Sequence, residues 1–174
     1  MKVNSINTDR LIIRDVTEDD AKDIWNIWSN SENEKYMSDP VESIDKVKAI
    51  CKRRENHSSS GFLRVATLKT TGEVIGTCCF GPTNRNDEWG FGYSIKIEYW
   101  GMGYATEVVK SIINLGTDLG VKDFISECAT ENIASGNVLE KCGMHLECKS
   151  TFKQPKLNII YESNVYKLHI RESK

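Results

Sequence analysis

Glu88-Trp89-Gly90-Phe91-Gly92-Tyr93-Ser94-Ile95-Lys96-Ile97 and, after Glu98-Tyr99, Trp100-Gly101-Met102-Gly103-Tyr104-Ala105-Thr106-Glu107 form the stretch from which the fold can be read. The first run is rich in aromatic and β-branched residues and predicts a strand. Gly90 and Gly92 interrupt it. Glycine weakens a strand unless a bulge, a neighbouring backbone or a ligand needs the space. Beyond the turn, Ala105, Val108, Val109, Ile112, Ile113, Gly116 and Leu119 recur at helical spacing and predict a helix with one apolar face. A strand, a glycine turn and a helix leave unpaired backbone N–H groups at the positive end of the helix dipole, where a multiply charged anion can be held. Gly101, Gly103 and Ala105 would let that anion touch the backbone, with no lysine or metal ligand needed because several N–H groups share the charge. The spacing fits a tight turn without a ligand equally well. It excludes two relatives: Thr106 occupies the third glycine position of a dinucleotide motif, and no Gly-Lys-Ser/Thr closes a nucleoside-triphosphate loop.

At 174 residues the chain predicts one domain, residues 1–174, with a core of useful size. Lys and Arg number 23 against 25 Asp and Glu, a formal charge of −2, and no basic run tracks a nucleic-acid backbone. Nucleic acid is therefore not an expected partner. The first nine residues lack the apolar core of a signal peptide and no stretch reaches the length of a membrane span, so a cytoplasmic chain is expected. Cys51, Cys78, Cys79, Cys128, Cys142 and Cys148 form no Cys-x-x-Cys pair and His57, His145 and His169 are scattered, which predicts free, mostly buried thiols and no metal. Asp19 and Asp20 read as complements to a helix start rather than metal ligands.

Residues 8–14 predict a short strand, and Thr17-Glu18-Asp19-Asp20 a helix start, with Ala21, Ile24, Trp25 and Trp28 as the buried stripe. Two helices are expected near 30–37 and 41–56, the second with Ile44, Val47, Ile50 and Cys51 on one face, before a breaker at 58–61. Residues 62–69 and 73–80 predict a hairpin turning at Gly72, and the loop 81–87 leads into the glycine-interrupted strand, completing an antiparallel meander. After the long helix ends at Gly120, residues 122–128 predict a buried strand. A right-handed crossover makes it parallel to 88–97. Asn132 as N-cap and Gly143 as C′ residue frame a short helix, and strands at 144–152 and 160–170 close the sheet.

Three strings, in order, resemble the GNAT superfamily of N-acetyltransferases. Thr8-x-Arg10-Leu11-x-x-Arg14 followed by an acidic helix start is similar to the opening of RimJ/RimL-type members. The turn at 100–105 resembles motif A, Gln/Arg-x-x-Gly-x-Gly/Ala, with Gly103 and Ala105 on the last two positions. Trp100 replaces the usual Gln or Arg, as in the Trp-Gly-x-Gly-Tyr-Ala-Thr-Glu form of that branch. Asn132 to Met144 resembles motif B. The resemblance spans roughly residues 8–170 and implies an α+β fold: a mixed, mostly antiparallel sheet of about seven strands, helices on both faces and one central parallel pair. It implies acetyl-CoA as cosubstrate, with contacts from Ser94, Ile95 and Ile97, from Trp100, Gly101, Met102, Gly103, Tyr104, Ala105 and Thr106, and from Asn132, Ser135 and Asn137.

Acetyl transfer needs a neutral amine, a stabilised oxyanion and a proton for the departing thiolate. An α-amino group (pKa about 7.7–8.0) costs roughly 1 kcal/mol to deprotonate at pH 7, a lysine (about 10.4) roughly 4.6 kcal/mol. Glu88 is the expected base, on the same strand face as Gly90 and Gly92, although a solvated carboxylate at the strand mouth explains it too. A backbone N–H within 93–97 would hold the carbonyl, and Ser135, or alternatively Tyr104, would reprotonate the thiolate. The expected partner is an amine acceptor, first a protein N-terminus. Glu32, Glu34, Asp39 and Glu42 leave a polyamine or antibiotic acceptor as the alternative, and Gly90, where members of the family often carry Glu, leaves room for a non-catalytic CoA sensor. No motif encodes the oligomeric state; a homodimer is the commonest oligomer in general.

Overall fold

The computed structural model describes residues 5–56, 61–84 and 88–171. His57, the serines at 58–60 and the 85–87 part of the loop lie outside them. Along the chain run β1 (Ile6–Asn7), β2 (Leu11–Asp15), α1 (Ala21–Trp28), α2 (Ser31–Glu34), α3 (Ile44–Asn56), β3 (Phe62–Leu68), β4 (Val74–Pro82), β5 (Glu88–Ile95), α4 (Tyr104–Asp118), β6 (Asp123–Ala129), α5 (Ile133–Lys141), β7 (His145–Gln154) and β8 (Ile159–His169). All eight strands join one sheet in the order β1-β2-β3-β4-β5-β6-β8-β7. The pairing is antiparallel throughout except between β5 and β6. The sheet expected with about seven strands thus gains an eighth, the two-residue β1, too short to register as an alternating pattern.

The parallel pair carries the architecture. β5 and β6 are in register only at Glu88–Asp123, Trp89–Phe124 and Gly90–Ile125. Beyond Gly90, β5 stays paired to β4 as far as Ile95, while β6 stays paired to β8 as far as Ala129. The two central strands therefore part halfway along, opening a slot that points at the N-terminus of α4. Ser126 marks the fork, its hydroxyl donating to the Phe91 carbonyl at 3.0 Å.

The two sheet faces have separate cores. Trp89, Phe91, Tyr93 and Ile95, alternate residues of β5, join the core under α4 and α5 with Val108, Val109, Ile112, Phe124 and Leu139. Glu88, Gly90, Gly92 and Ser94 consequently face the side of α1 to α3, where Ile24, Ile27, Val47, Cys51, Leu63 and Val65 form the second core. Gly116 is what lets α4 sit close: a Cβ there would lie 2.4 Å from Phe124 and 2.6 Å from Phe80.

Several expected boundaries shift. β5 ends at Ile95, and Ile97 starts a 3-10 turn, Ile97–Tyr99, because the Lys96 N–H is the last to reach β4, donating to Ile75 at 2.7 Å. In α1 the buried positions are Ala21, Ile24 and Ile27, with Trp25 and Trp28 only half-buried. The Trp28 indole needs a polar partner and donates to Thr77 at 2.9 Å, which keeps the ring at the core's rim. The acidic start of α1 is a 3-10 turn, Glu18–Asp20. Asp20, 5% exposed, accepts from the Thr17 N–H and from both arms of Arg14. All six cysteines are free: Cys51, Cys78 and Cys128 are buried and Cys79 and Cys148 exposed, so Cys78 and Cys79 face opposite ways.

Candidate active site

The turn into α4 holds two glycines in conformations that other residues rarely adopt. Gly101 (φ +75°) and Gly103 (φ +82°) both adopt the left-handed conformation, Gly103 as the N-cap of a 15-residue helix. A Cβ at Gly101 would touch nothing within 4 Å, so its glycine serves the backbone angle, and the space above it is open. Trp100, in the Gln/Arg position, fixes the turn to the strand by donating its indole N–H to the Ile95 carbonyl at 2.6 Å. Met102 is exposed. Tyr104, Ala105 and Thr106 form the first turn of α4.

The slot between β5 and β6 leads away from this turn. The Phe91 carbonyl receives Ser126 from the β6 side and the Ile95 carbonyl receives Asn33 at 3.1 Å as well as Trp100, so odd-numbered residues of β5 turn their peptide groups away from β4. By the same alternation the N–H groups of Tyr93 and Ile95 face the slot. Across it stands α5, whose N-cap Asn132 accepts the Ser135 N–H at 3.1 Å. This cap uses the Asn132 carbonyl oxygen and leaves its amide NH₂ for another partner. Ser135 Oγ lies 2.8 Å from the Tyr93 hydroxyl. Burial pushes the Tyr93 phenol above its usual range, more strongly than the Ser135 bond pulls it down, so it stays neutral. Burial likewise raises the Cys128 thiol, partly offset by Ser135. Asn137, one turn on, is exposed and lines a cavity of about 200 Å³ with Asn132 and Tyr166.

On the opposite face, at the fork, a cleft of about 380 Å³ is lined by Gly90, Ile125, Glu127, Cys148, Ser150 and Val165 among others. Glu88 sits beside it but is only 4% exposed. It pairs with Lys167 of β8 at 3.3 Å and accepts from Thr83 at 3.3 Å. Glu127 of β6 is the carboxylate that opens into the cleft; it accepts a hydrogen bond from Ser163. The slot thus has Ser135 and Tyr93 on one side of the sheet and Glu127 and Glu88 on the other. Tyr104 joins neither group. Its ring lies 4.0 Å from the Arg10 guanidinium and edge-on to Tyr99.

Tyr93, Glu127 and Lys167 were not singled out by sequence reasoning. Tyr93 looks like one more core aromatic in an alternating strand, and Glu127 like a solvated residue. Only the fork at Gly90 gives either a place. The acidic residues expected to favour a polyamine are partly engaged: Glu34 pairs with Lys156 and Glu42 with Lys46. Among the described residues no group of three or more His, Cys, Asp and Glu could hold a metal ion, and no helix is long and apolar enough to cross a membrane.

Comparison with known proteins gives this arrangement its context. The acetyltransferase (GNAT) domain model matches residues 10–145. YoaA of Bacillus subtilis (strain 168), an uncharacterized N-acetyltransferase, is 29% identical over 168 residues, covering 94% of this chain and 95% of its own. Among solved structures, the microcin C7 self-immunity acetyltransferase MccE, in complex with acetyl-CoA and AMP, superposes with a TM-score of 0.80 at 20% identity over 94% of each chain. RimL, a ribosomal L7/L12 α-N-protein acetyltransferase in complex with coenzyme A, does so with 0.80 at 16% identity over 96% of this chain and 98% of its own. At such identities the structures establish a shared fold.

Proposed function

The chain belongs to the GNAT acetyltransferase family, and from that premise we propose that it transfers the acetyl group of acetyl-CoA to a protein N-terminal α-amino group, as RimJ/RimL-type enzymes do. The observation that carries the reading is the fork: a slot between β5 and β6 that begins at a carboxylate-lined cleft and ends at a glycine cradle on the α4 N-terminus. The residues present fit the cosubstrate. Gly101, Gly103 and the first N–H groups of α4 would take its diphosphate, with Trp100, Met102, Tyr104, Ala105 and Thr106 shaping the turn. Ser94, Ile95, Asn132 and Asn137 flank the arm, and Ile97 the exit from the slot. When bound, acetyl-CoA supplies the activated acyl group.

The chain's own groups divide the proton work by sheet face. An amine entering from the side of α1 to α3 meets Glu127, and we assign the proton-accepting role to it, because Glu88 is buried against Lys167 and Thr83. Glu88 then holds Lys167 beneath the cleft. The slot-facing N–H groups of Tyr93 and Ile95 are donors for a developing oxyanion. Ser135 delivers a proton to the thiolate and takes one back from solvent, and the neutral Tyr93 hydroxyl behind it holds the serine in line. An α-amine needs only a modest base, since its deprotonation at pH 7 costs roughly 1 kcal/mol.

The test is to incubate the protein with acetyl-CoA and a panel of N-terminal peptides, polyamines and aminoglycosides while following free thiol. Turnover confined to peptides, abolished by N-terminal blocking, is expected. Turnover confined to polyamines or aminoglycosides would move the assignment to a small-molecule enzyme, and tight CoA binding without turnover anywhere would favour a sensor.

A further inference from the structure

The opening motif Thr8-x-Arg10 has no part in the chemistry above, yet its side chains converge on the cradle. Arg10 donates through Nε to Glu107 Oε2 at 2.8 Å and through its backbone N–H to Oε1 at 2.9 Å, and its Nη2 lies 2.7 Å from Oε2. Thr8 Oγ1 donates to Oε1 at 2.6 Å. The other arm of the guanidinium donates to the carbonyl of Met102, between the two left-handed glycines, at 2.9 Å. The whole group rests on the Tyr104 ring, and Nη2 lies 3.5 Å from the position a Gly103 Cβ would take. Glu107 is in the first turn of α4, the turn whose N–H groups an anion would use. An uncompensated carboxylate there suits the helix dipole but repels a diphosphate.

We infer that Arg10, supported by Thr8, is a positioning residue of the acetyl-CoA site, which cancels the Glu107 charge and pins the Met102 carbonyl so that the cradle presents N–H groups rather than oxygens. This rests on reading the α4 turn as the diphosphate site. The clamp is reciprocal. Glu107 holds the guanidinium over Gly103, and against the desolvation of partial burial the hydrogen bonds from Thr8, the Arg10 backbone and the Arg10 side chain hold its carboxyl below the usual range. A purely structural role would instead tie the β1–β2 turn to α4 without regard to what the turn binds. That role would appear as lost thermal stability with cofactor affinity intact.

The two are separated by titrating CoA into folded wild-type, Arg10→Ala, Glu107→Gln and Arg10→Ala/Glu107→Gln proteins, and measuring KM for acetyl-CoA and for the acceptor in each. Arg10→Ala should weaken CoA and raise the acetyl-CoA KM about tenfold or more, with acceptor KM and kcat within about threefold, and removing the carboxylate in the double variant should recover most of that loss. Unchanged CoA affinity in Arg10→Ala, or a double variant no better than the single one, would overturn the inference. Should Arg10→Ala not fold, Thr8→Val, which removes one neutral donor to Glu107, is expected to weaken CoA severalfold, and no change would count against the clamp. A wild-type protein that binds no CoA at all defeats the diphosphate reading itself, a separate result.

Discussion

The two ends of the slot are made of different material. At the α4 end the proposed binding groups are peptide N–H groups, set by two left-handed glycines and by Trp100 and Arg10, all but Arg10 within four consecutive residues. At the fork they are side chains from four elements: Glu88 and Tyr93 on β5, Glu127 on β6, Ser135 on α5 and Lys167 on β8. The first end depends on local backbone conformation and would tolerate changes of side-chain identity that leave the angles alone. The second depends on how β5, β6 and β8 register with one another, and each side chain there is individually exposed to loss. A diphosphate needs many weak donors around a diffuse charge, whereas a proton transfer needs one group in one place.

The fork end should therefore show the largest single-residue effect. Glu127→Gln is expected to lower kcat/KM at pH 7 by about 100-fold, within the usual range for general-base catalysis. The loss should shrink as pH rises past about 8, where an α-amine deprotonates unaided. Glu88→Gln should cost much less. A pH-rate study of both variants decides the matter, and the reverse order would return the base to β5.

At the cradle end, Gly103→Val forces a β-branched residue to φ near +82°. Left-handed strain of roughly 1–2 kcal/mol, added to a side chain beside Arg10, should weaken CoA on the order of tenfold with little change in kcat once saturated. Equal affinity by calorimetry would mean that the N–H groups at this turn do not hold the diphosphate. Gly101→Ala, whose Cβ meets nothing, isolates the strain alone and should do less.

Returning to the fork, Tyr93→Phe removes only the hydroxyl that faces Ser135. A neutral hydrogen bond contributes about 1 kcal/mol, so kcat should fall about fivefold while the acetyl-CoA KM holds. Ser135→Ala should fall further, and adding Tyr93→Phe to it should cost almost nothing more, because the tyrosine acts through the serine. Additive losses would show that Tyr93 acts on its own.

The same contrast explains what could be read in advance. The cradle, the helix behind it and the crossover to β6 are written in contiguous residues: glycines at turn positions, an apolar face from Ala105 to Leu119, a strand at the right distance. The turn, the helix and the strand after it followed from periodicity and turn chemistry alone, although what the turn binds did not. The fork did not, because nothing in residues 88–95 says that pairing with β6 stops at Gly90. Without the fork, Glu127 reads as a solvated side chain and Tyr93 as core. Glu88 was legible as a carboxylate on the Gly90 and Gly92 face of β5, but its burial against Lys167 comes from a residue 79 positions away, beyond any local pattern. Trp25 and Trp28 show a subtler limit: helical spacing placed them on the apolar side, while the indole N–H of Trp28 kept that ring at the edge where Thr77 could receive it.

Asn132 lies between the two ends, and its two amide atoms can be assigned separately. Its Oδ1 caps α5 by accepting the Ser135 N–H, a local role worth about 1 kcal/mol. Its Nδ2 is free to donate to a carbonyl of the pantetheine arm. Asn132→Asp keeps a comparable cap and removes only the NH₂, so stability should change by a few tenths of a kcal/mol while the acetyl-CoA KM rises about threefold. Asn132→Ala loses both and should also lower the melting temperature by a few degrees, the amount expected of about 1 kcal/mol in a domain of this size. An aspartate variant with wild-type KM would confine Asn132 to the cap, and Ser135 would then owe its position to α5 alone.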